Sequence, residues 1–355
     1  MPLHDFKCTD FRCLKSAELK LDPHYNLIFG PNASGKTSLL EAIAYLGRGR
    51  SFRGAPTQNL VRHGATEFVL FGNADTGARE AAVGVRNSRD GLEIHIDGDK
   101  VASAAGLAEV LPLQVVDPDI HNLIAGGPEE RRRYVDWIAF HVEHGYLEHW
   151  RRFRRALKQR NAALKENASA DALAGWDKEL TETGREVHEA RLRVLDITRP
   201  ALEETGASLL GSAVHVEYQQ GWSTDKSLAK ALAAGIDRDR QLGATQAGPH
   251  RADLKLLYDE RQARRLVSRG QQKLLACALI LAATEVVQSH IERSLLLLLD
   301  DPAAELDSDS LTRLMAAVVA LGCQVIATSL DPDPVLFPEP PTTFHVEQGV
   351  LVNSD

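Results

Sequence analysis

Residues 30–37 read Gly-Pro-Asn-Ala-Ser-Gly-Lys-Thr and match the pattern G-x-x-x-x-G-K-[ST]. The apolar residues 27–29 precede this segment, and residues 39–46 follow it with a composition typical of a helix. The order predicts a buried strand, a glycine loop and a helix, which is the context that the pattern requires. An ordinary glycine turn is the alternative.

The residue types of this loop point to nucleotide binding. Glycines let backbone N–H groups turn inward around a phosphate at a helix N-terminus. Lys36 would neutralise the β- and γ-phosphate oxygens and is a predicted catalytic residue, and the Thr37 hydroxyl would be a Mg²⁺ ligand. The residues predicted to bind ATP here are Gly30, Pro31, Asn32, Ala33, Ser34, Gly35, Lys36, Thr37 and Ser38.

A second acidic element is expected wherever such a loop hydrolyses nucleotide. Residues 295–299 are five consecutive leucines, and Asp300 and Asp301 follow them directly. This pattern predicts a buried strand that delivers two carboxylates at its C-terminal end. Asp300 would hold Mg²⁺, and Asp301 would orient or deprotonate the attacking water. The alternative is that two acidic residues merely end a strand.

A third segment, residues 268–273, reads Ser-Arg-Gly-Gln-Gln-Lys and precedes the apolar run 274–287. Ser268 is a candidate N-cap with N–H groups exposed at a helix start, which predicts an anion site. Gly270 and Gln271 are candidate nucleotide-binding residues with Ser268 if the segment is a signature loop. The segment lies before the acidic strand, in the order typical of the signature loop of ATP-binding-cassette (ABC) ATPases. Simple helix capping is the alternative.

Length and composition describe an ordinary soluble globular chain. The 355 residues predict two to three domains, and the hydrophobic and charged fractions of 44% and 25% argue against a disordered or membrane-embedded protein. The formal net charge is −8, so any nucleic-acid partner would need a local basic surface.

The four cysteines are scattered without a C-x-x-C pair, and the apolar runs are shorter than a membrane span. No secretory signal or transmembrane helix is predicted, and a reducing cytoplasm fits best.

Composition along the chain predicts three segments. Alternating apolar residues between positions 67 and 116 favour an antiparallel meander, and the Gly-Gly-Pro at 126–128 begins a strongly helical stretch. We expect residues 1–125 to form the first part of an ATPase lobe, residues 126–240 a helical lobe, and residues 241–355 the second part of the ATPase lobe.

Two apolar stripes within the helical stretch predict a short antiparallel helical hairpin. A polar segment at residues 165–171 separates the stripes, and Pro200 is expected to interrupt the second arm. The first stripe consists of Trp150, Phe153, Leu157 and Leu164. The second consists of Leu173, Trp176, Leu180, Thr183, Val187, Ala190, Val194 and Ile197.

Together these segments resemble the chromosome-maintenance (SMC) branch of the ABC ATPases, and most closely the RecF family of bacterial recombination mediators. The resemblance covers nearly the whole chain and rests further on residues 127–136, 248–254 and 301–307. It implies an α/β fold of the ABC/SMC P-loop ATPase head type, with a mixed sheet in lobe I and a mainly helical lobe II. It also implies ATP and Mg²⁺ as cofactors, and places Asp307 in a segment that packs across a dimer.

The sequence departs from the pattern of the family in one place and from that of the wider ABC class in two, and RecF-like proteins also tend to lack the histidine of the last of these. The usual Pro-Glu-Asp-Leu appears as residues 118–121, Pro-Asp-Ile-His, so Asp119 is assigned to the metal although a neighbour could fill that role. Asp301 stands where many relatives have the longer Glu, which predicts slow hydrolysis. Thr328 and Ser329 stand where many cassette ATPases have a histidine.

The resemblance also implies an ATP-dependent homodimer, because the signature loop of one subunit caps the nucleotide held by the other in this family. Hydrolysis would then be weak and would serve as a conformational switch. By resemblance the dimer binds duplex DNA at single-stranded gaps and helps RecO and RecR to load RecA.

Residues 131–160 carry nine Arg or Lys and three acidic residues, a local net charge of +6 in an acidic chain. Four basic residues share one helix face by their spacing and could follow a phosphate backbone, although a solvated helix face is an equal alternative. Arg50 and Arg53 match a basic position near DNA or nucleotide in the wider class, with a surface role as the alternative. The DNA-binding candidates are Arg50, Arg53, Arg151, Arg154, Arg155 and Lys158.

Two other functions remain open from the sequence. A transport ATPase subunit would require a membrane partner and usually the missing histidine. A DNA-binding scaffold with a vestigial ATP site would bind DNA without ATP turnover.

Overall fold

The computed structural model describes residues 2–259, 261–262, 268–332 and 336–352, and the chain forms two compact units. The first unit comprises residues 1–120 and 292–355, and the second comprises residues 121–291. The sequence analysis divided the chain after residues 125 and 240. The structure divides it after residues 120 and 291, and residues 241–291 are contained in the second unit, where the last helix packs on three earlier ones.

The structure assigns the following elements in chain order. The strands are β1 (Leu3–Phe11), β2 (Leu14–Lys20), β3 (Tyr25–Phe29), β4 (Phe68–Asp75), β5 (Glu80–Ser88), β6 (Gly91–Ile96), β7 (Asp99–Lys100), β8 (Leu113–Val116), β9 (Val214–Gln219), β10 (Asp253–Tyr258), β11 (Arg261–Gln262), β12 (Leu296–Leu299), β13 (Gln324–Ser329), β14 (Thr342–Glu347) and β15 (Val350–Val352).

The α-helices are α1 (Lys36–Arg48), α2 (Ala105–Val110), α3 (Asn122–Ala125), α4 (Pro128–Val142), α5 (Tyr146–Lys165), α6 (Ala170–Leu210), α7 (Leu228–Ala234), α8 (Ile236–Leu242), α9 (Arg269–Ile291) and α10 (Ser308–Ala320). Short 3₁₀ turns span Thr57–Leu60, Pro118–His121 and Pro249–Arg251.

Two sheets build the first unit. One is antiparallel, with strand order β2-β1-β4-β5-β6-β7, and it contains the predicted meander. The other has the order β15-β14-β3-β13-β12-β8, in which only the β14–β15 pair is antiparallel. β8 therefore leaves the meander and pairs with β12, which brings the ends of distant segments together at one sheet edge.

Helix α1 lies in the core between these two sheets. Residues 39–47 of α1 are all buried, and they share one apolar cluster with side chains from both sheets. Phe11, Tyr45 and Phe68 meet edge to face at the centre of that cluster, with ring centroids 5.0–6.2 Å apart. A helix that is buried on all sides fixes the position of the loop that precedes it.

The second unit contains the predicted helical hairpin. α5 and α6 run antiparallel and are linked by the polar segment 166–169, and Ser169 caps α6 by accepting a hydrogen bond from the backbone N–H of Ala172. The seam is buried from Leu173 to Val194 apart from the half-buried Trp176, but the prediction for Ile197 was wrong. Ile197 is 50% exposed and Thr198 is buried instead, because a straight helix drifts away from a strict seven-residue repeat.

The expectation that Pro200 interrupts the second arm was also wrong. α6 continues through Pro200 to Leu210. Residues on both sides of the proline, Val194 and Leu202 among them, are buried against the rest of the second unit. Packing of this kind outweighs the lost backbone hydrogen bond of one proline.

Helix α9 is the one helix in the described part of the chain that is long and apolar enough to cross a membrane. Two thirds of its apolar window is buried, and it packs on α4 and α6. These contacts are those of the core helix of a folded domain.

Candidate functional site

The loop between β3 and α1 has the backbone geometry of a phosphate cradle. Gly30 and Gly35 have φ angles of 149° and 115°, in the region that favours glycine. A Cβ on Gly30 would lie 2.2 Å from the carbonyl oxygen of Val346, so that position accepts no side chain. The loop is also held by the β14–β15 turn, because Gly349 donates its N–H to the Ser34 carbonyl at 2.7 Å.

Two polar side chains of this loop, Lys36 and Ser34, can form further hydrogen bonds. The Lys36 ammonium donates to the carbonyl oxygens of Gly30 and Pro31 at 2.6 and 2.9 Å, which leaves one of its three N–H donors. Ser34 is 4% exposed, and its Oγ is buried without a partner among the described residues. Buried polar groups normally have a partner, so the loop is incomplete without an anionic ligand.

Thr37 and Asp300 meet at the mouth of the loop. The Thr37 hydroxyl donates to Asp300 Oδ1 at 3.0 Å, and the Thr328 hydroxyl donates to the same oxygen at 2.9 Å. Thr328 Oγ1 in turn accepts the N–H of Asp301 at 2.9 Å. Burial raises the pKa of Asp300, and the hydrogen bonds from Thr328 and Thr37 oppose that rise.

The loop and the acidic pair line one cavity of about 270 Å³ within the first unit. Burial lowers the pKa of Lys36, while the nearby charges of Asp301 and Asp300 raise it. The lining residues are Cys13, Asn32, Ala33, Ser34, Gly35, Lys36, Thr37, Ser38, Arg53, Asp300, Asp301, Thr328, Ser329 and Leu330.

These residues fit a magnesium nucleotide. The unpartnered Ser34 hydroxyl and the remaining N–H of Lys36 are donors for phosphate oxygens. The Thr37 hydroxyl and the Asp300 carboxylate lie side by side and are oxygen ligands of the kind that Mg²⁺ takes. The ion would neutralise phosphate charge there.

The cavity has wall residues that the sequence analysis missed or assigned differently. Arg53, which the sequence placed near DNA or nucleotide with a surface role as the alternative, lines the cavity, and its charge lowers the pKa of Asp300. Cys13 is exposed on the opposite hairpin turn, with its Sγ 3.5 Å from Ser38 Oγ. No local motif marks Cys13, because its proximity to the loop arises from the fold.

The buried carboxylate of Glu41 connects α1 to the two segments that carry Cys13 and Arg53. Glu41 is fully buried and accepts two hydrogen bonds from the Arg12 guanidinium, both at 2.9 Å, and a third from the Ser51 hydroxyl. Arg12 precedes Cys13, and Ser51 accepts the backbone N–H of Arg53 at 3.1 Å. Glu41 therefore positions both wall segments.

Asp119 is exposed in the 3₁₀ turn after β8 and is not among the residues that line the cavity, and its metal role stays a prediction. Asp117, two residues earlier, is half-buried, and burial raises its pKa to about 6. The charges of Asp119 and Asp300 add to that rise. Asp117, which the sequence did not single out, is therefore an acidic residue whose charge interacts with that of Asp300, although it does not line the cavity.

The signature residues lie at the start of α9 in the second unit. Gln271 donates its backbone N–H to Ser268 Oγ at 3.3 Å, and the Ser268 N–H donates to Gln271 Oε1 at 2.9 Å. This reciprocal pair is a capping box, so Ser268 does cap the helix, as the alternative interpretation expected. The nucleotide role of Ser268, Gly270 and Gln271 stays a prediction.

Asp307 is the N-cap of α10. Its carboxylate accepts the backbone N–H and the hydroxyl of Ser310 at 2.8 and 2.9 Å, which lowers its pKa. Its predicted place at a dimer contact is untested.

The basic residues of α4 and α5 include buried arginines in ion pairs, exposed arginines in ion pairs, and the exposed stripe predicted from the sequence. Arg131 and Arg160 are buried and paired with Asp253, Asp177 and Asp239, while Arg133 and Arg152 form exposed ion pairs with glutamates. The predicted stripe is exposed on α5, and Arg154 covers the Trp150 ring at 5.0 Å. We call this set the α5 stripe: Arg151, Arg154, Arg155 and Lys158. The remaining candidate, Arg50, is exposed after α1.

Residues 248–253, Gly-Pro-His-Arg-Ala-Asp, form a segment of the second unit that accepts hydrogen bonds from two helices. Arg191 donates to the Pro249 carbonyl at 2.7 Å, and Arg132 donates to the Ala252 carbonyl at 2.8 Å. His250 is half-buried, with its Nε2 3.0 Å from the Thr245 carbonyl oxygen, and burial lowers its pKa to about 4. The motif therefore joins α4, α6 and β10.

Comparison with known proteins places these features in one family. Residues 2–342 match the family model described as the RecF/RecN/SMC N terminal domain. The "DNA replication and repair protein RecF" of Pseudomonas syringae pv. syringae (strain B728a) is 38% identical over 362 residues, covering 100% of this chain and 99% of that protein. RecF of Yersinia pestis bv. Antiqua (strain Angola) is 39% identical and covers 96% of both chains.

Solved structures give the same result. The RecF–ATP structure "in RecFOR pathway" aligns with a TM-score of 0.89 and 26% identity, covering 99% of this chain and 97% of that one. The Smc head domain from Pyrococcus furiosus aligns with a TM-score of 0.62 at 16% identity over 99% of this chain and 95% of that one, which shows the shared fold. The α/β ATPase head predicted from the sequence is confirmed.

Proposed function

The chain belongs to the RecF family of DNA replication and repair proteins, and from this premise we propose that it is an ATP-dependent DNA-binding protein of recombinational repair and replication restart. The observation that carries the proposal is the cavity in which Lys36, Thr37, Asp300 and Asp301 converge after a glycine loop. Similarity to RecF over the full length disfavours a subunit of a membrane transporter.

The residues of the cavity divide the work of binding and hydrolysis. The loop N–H groups, Ser34 and Lys36 hold the β- and γ-phosphates of ATP, and Thr37 with Asp300 holds Mg²⁺. Asp301 accepts a proton from the attacking water. Because Asp is one methylene shorter than Glu, we expect its carboxylate to reach the water poorly and hydrolysis to be slow.

We further propose that two copies associate head to tail when ATP is bound. Ser268, Gly270 and Gln271 of one copy would cap the γ-phosphate held by the other, and Asp307 would lie at the same contact. Bound ATP then favours the closed dimer and hydrolysis releases it, so that the ATPase acts as a switch.

The closed dimer binds duplex DNA beside single-stranded gaps and acts with RecO and RecR in loading RecA. The related RecF structures are those of a recombination mediator in the RecFOR pathway, which supports partners of this kind. The α5 stripe supplies positive charge for phosphates without reading sequence. We place this activity in the cytoplasm.

Fluorescence anisotropy of a labelled gapped duplex tests the proposal. The protein is titrated in ATP, in ADP and without nucleotide, each at two salt concentrations. We expect binding to be tightest in ATP and to weaken as salt rises. The variant Lys36→Met should bind DNA equally under all three conditions.

Equal binding by the wild-type protein under all three nucleotide conditions would contradict an ATP switch and favour a scaffold with a vestigial site. No binding at all would remove DNA as the partner. A hydrolysis rate of tens per second would contradict the weak-ATPase proposal.

A further inference from the structure

We propose that Thr328 is a positioning residue, whose single hydroxyl holds both Asp300 and Asp301 in the arrangement that ATP hydrolysis needs. The inference rests on the proposed ATPase function and adds a residue that the phosphate loop and the acidic pair do not include. Thr328 itself is expected to contact neither the metal nor the attacking water.

Strand register brings Thr328 to the acidic pair. β13 pairs in parallel with β12, and Ala327 lies opposite Leu299. The next residue on each strand is therefore Thr328 beside Asp300, at the carboxyl end where parallel strands present their functional side chains. Thr328 is 1% exposed and Asp300 is 5% exposed, so water does not compete for the contact between them.

A threonine hydroxyl can make both observed contacts at once, because it has one donor and two acceptor sites. Thr328 Oγ1 donates to Asp300 Oδ1 and accepts the Asp301 N–H, both at 2.9 Å. The first contact orients the Asp300 carboxylate. The second fixes the peptide unit that joins the two acidic residues.

The second contact matters because the Asp301 backbone is unusual. Its φ angle of 49° lies in the left-handed region, which a residue other than glycine adopts only where its surroundings hold it. The hydrogen bond from the Asp301 N–H to Thr328 is such a restraint. Without it we expect the 300–301 segment to relax and the Asp301 carboxylate to leave the cavity.

Asp300 Oδ1 accepts hydrogen bonds from the hydroxyls of both Thr37 and Thr328, but the two threonines have different roles in nucleotide binding. Thr37 belongs to the phosphate loop and is a predicted Mg²⁺ ligand. Removal of the Thr328 hydroxyl leaves Lys36, Thr37 and the loop N–H groups unchanged. The chain should therefore still bind ATP while it hydrolyses it more slowly.

The test compares Thr328→Val, which keeps the shape and removes the hydroxyl, with Thr328→Ser, which keeps the hydroxyl. Thr198→Val is the matched control, because Thr198 is a buried threonine in the second unit whose hydroxyl donates to the Val194 carbonyl. Each protein is assayed for binding of a fluorescent ATP analogue, for kcat and KM of hydrolysis, and for amide hydrogen exchange without nucleotide.

We expect Thr328→Val to lower kcat at least tenfold while the Kd of the analogue changes less than threefold. Exchange of the Asp301 amide should accelerate at least tenfold, a readout that needs no nucleotide. Thr328→Ser should restore kcat to within threefold of wild type, and Thr198→Val should leave both readouts unchanged. If Thr328→Val does not fold, Thr328→Ala replaces it in the same comparison.

An unchanged kcat in Thr328→Val, or a Thr328→Ser variant as slow as Thr328→Val, would overturn this inference alone. A wild-type protein that does not bind the ATP analogue would overturn the proposed function and this inference with it.

Discussion

At the scale of single residues, the cavity depends on side chains that approach one another only after strands have paired. Asp117 follows β8, and Asp300 follows β12, which is paired with β8. The Asp300 N–H donates to the Val116 carbonyl at 2.8 Å, and the charge of Asp300 raises the pKa of Asp117. Their shared burial accounts for the raised pKa of Asp117.

The pH dependence of stability tests that account. The raised pKa means that the folded chain binds more protons than the unfolded chain between about pH 4 and 6, so the free energy of unfolding falls as pH rises through this window. Asp117→Asn removes the titrating carboxyl, so its free energy of unfolding should not show this fall as pH rises. Its stability relative to wild type should grow by about 2 to 3 kcal/mol between pH 4 and 7, measured by urea unfolding without nucleotide. A difference that stays constant with pH would contradict the account.

Cys13 offers a direct probe of the cavity. Cys8, Cys277 and Cys323 are buried, and burial raises the pKa of each thiol to about 12. We therefore expect a maleimide to label native protein at Cys13, and ATP with Mg²⁺ to slow that labelling at least fivefold. Cys13→Ser should remove the fast phase, and Lys36→Met should remove the protection. Equal labelling with and without ATP would place the nucleotide elsewhere.

The sequence predicted the phosphate loop and the acidic pair because each is a continuous stretch with its own strand or helix signal. Resemblance left Arg53 open between a place near nucleotide, a place near DNA and a surface role, because its position depends on the buried Glu41 and on Ser51. Asp117 was missed for the same reason, since its neighbour Asp300 is far away in the chain. Local patterns predict elements, whereas proximity between elements needs the sheet order.

At the scale of elements, α6 shows how tertiary packing overrides a local signal. The seven-residue pattern predicted its buried face as far as Val194, and drift of the helix then exposed Ile197. Pro200 was predicted to end the regular helix and did not. Pro200 nevertheless lowers the free energy of unfolding, because it cannot donate a backbone hydrogen bond within α6.

Replacement of Pro200 makes that cost measurable. Pro200 is exposed, so Pro200→Ala restores a backbone N–H within α6 and loses little packing. We expect the free energy of unfolding to rise by about 1 to 3 kcal/mol, as the midpoint of urea unfolding will show. Pro128→Ala is the control, because proline is well tolerated at the first position of α4. A loss of stability in Pro200→Ala would contradict this view.

At the scale of the whole molecule, a net charge of −8 coexists with exposed positive charge on α5. Neutralising the α5 stripe with Arg151→Gln, Arg154→Gln, Arg155→Gln and Lys158→Gln should weaken DNA binding and reduce the slope of log K against log salt by up to about 3.6. Anisotropy titrations across salt concentrations measure the slope.

The control for the α5 stripe removes four exposed arginines that form ion pairs in the same unit, so the net charge changes equally. Their positive charge is already balanced by glutamates, and we expect a much smaller change in slope. If the control lowers the slope as much as the stripe variant does, net charge rather than the α5 stripe governs binding. The control substitutions are Arg133→Gln, Arg152→Gln, Arg185→Gln and Arg193→Gln.

The insertion of residues 121–291 within the first unit has a consequence for folding during synthesis. β8 ends at Val116, and its partner β12 begins at Leu296. A ribosome that adds about 5 to 20 residues per second needs about 10 to 40 s to make the intervening chain. The antiparallel sheet and the inserted unit can therefore fold while the nucleotide cavity still lacks its acidic pair, and a nascent chain would acquire ATP binding only after β12 and the acidic pair have been made.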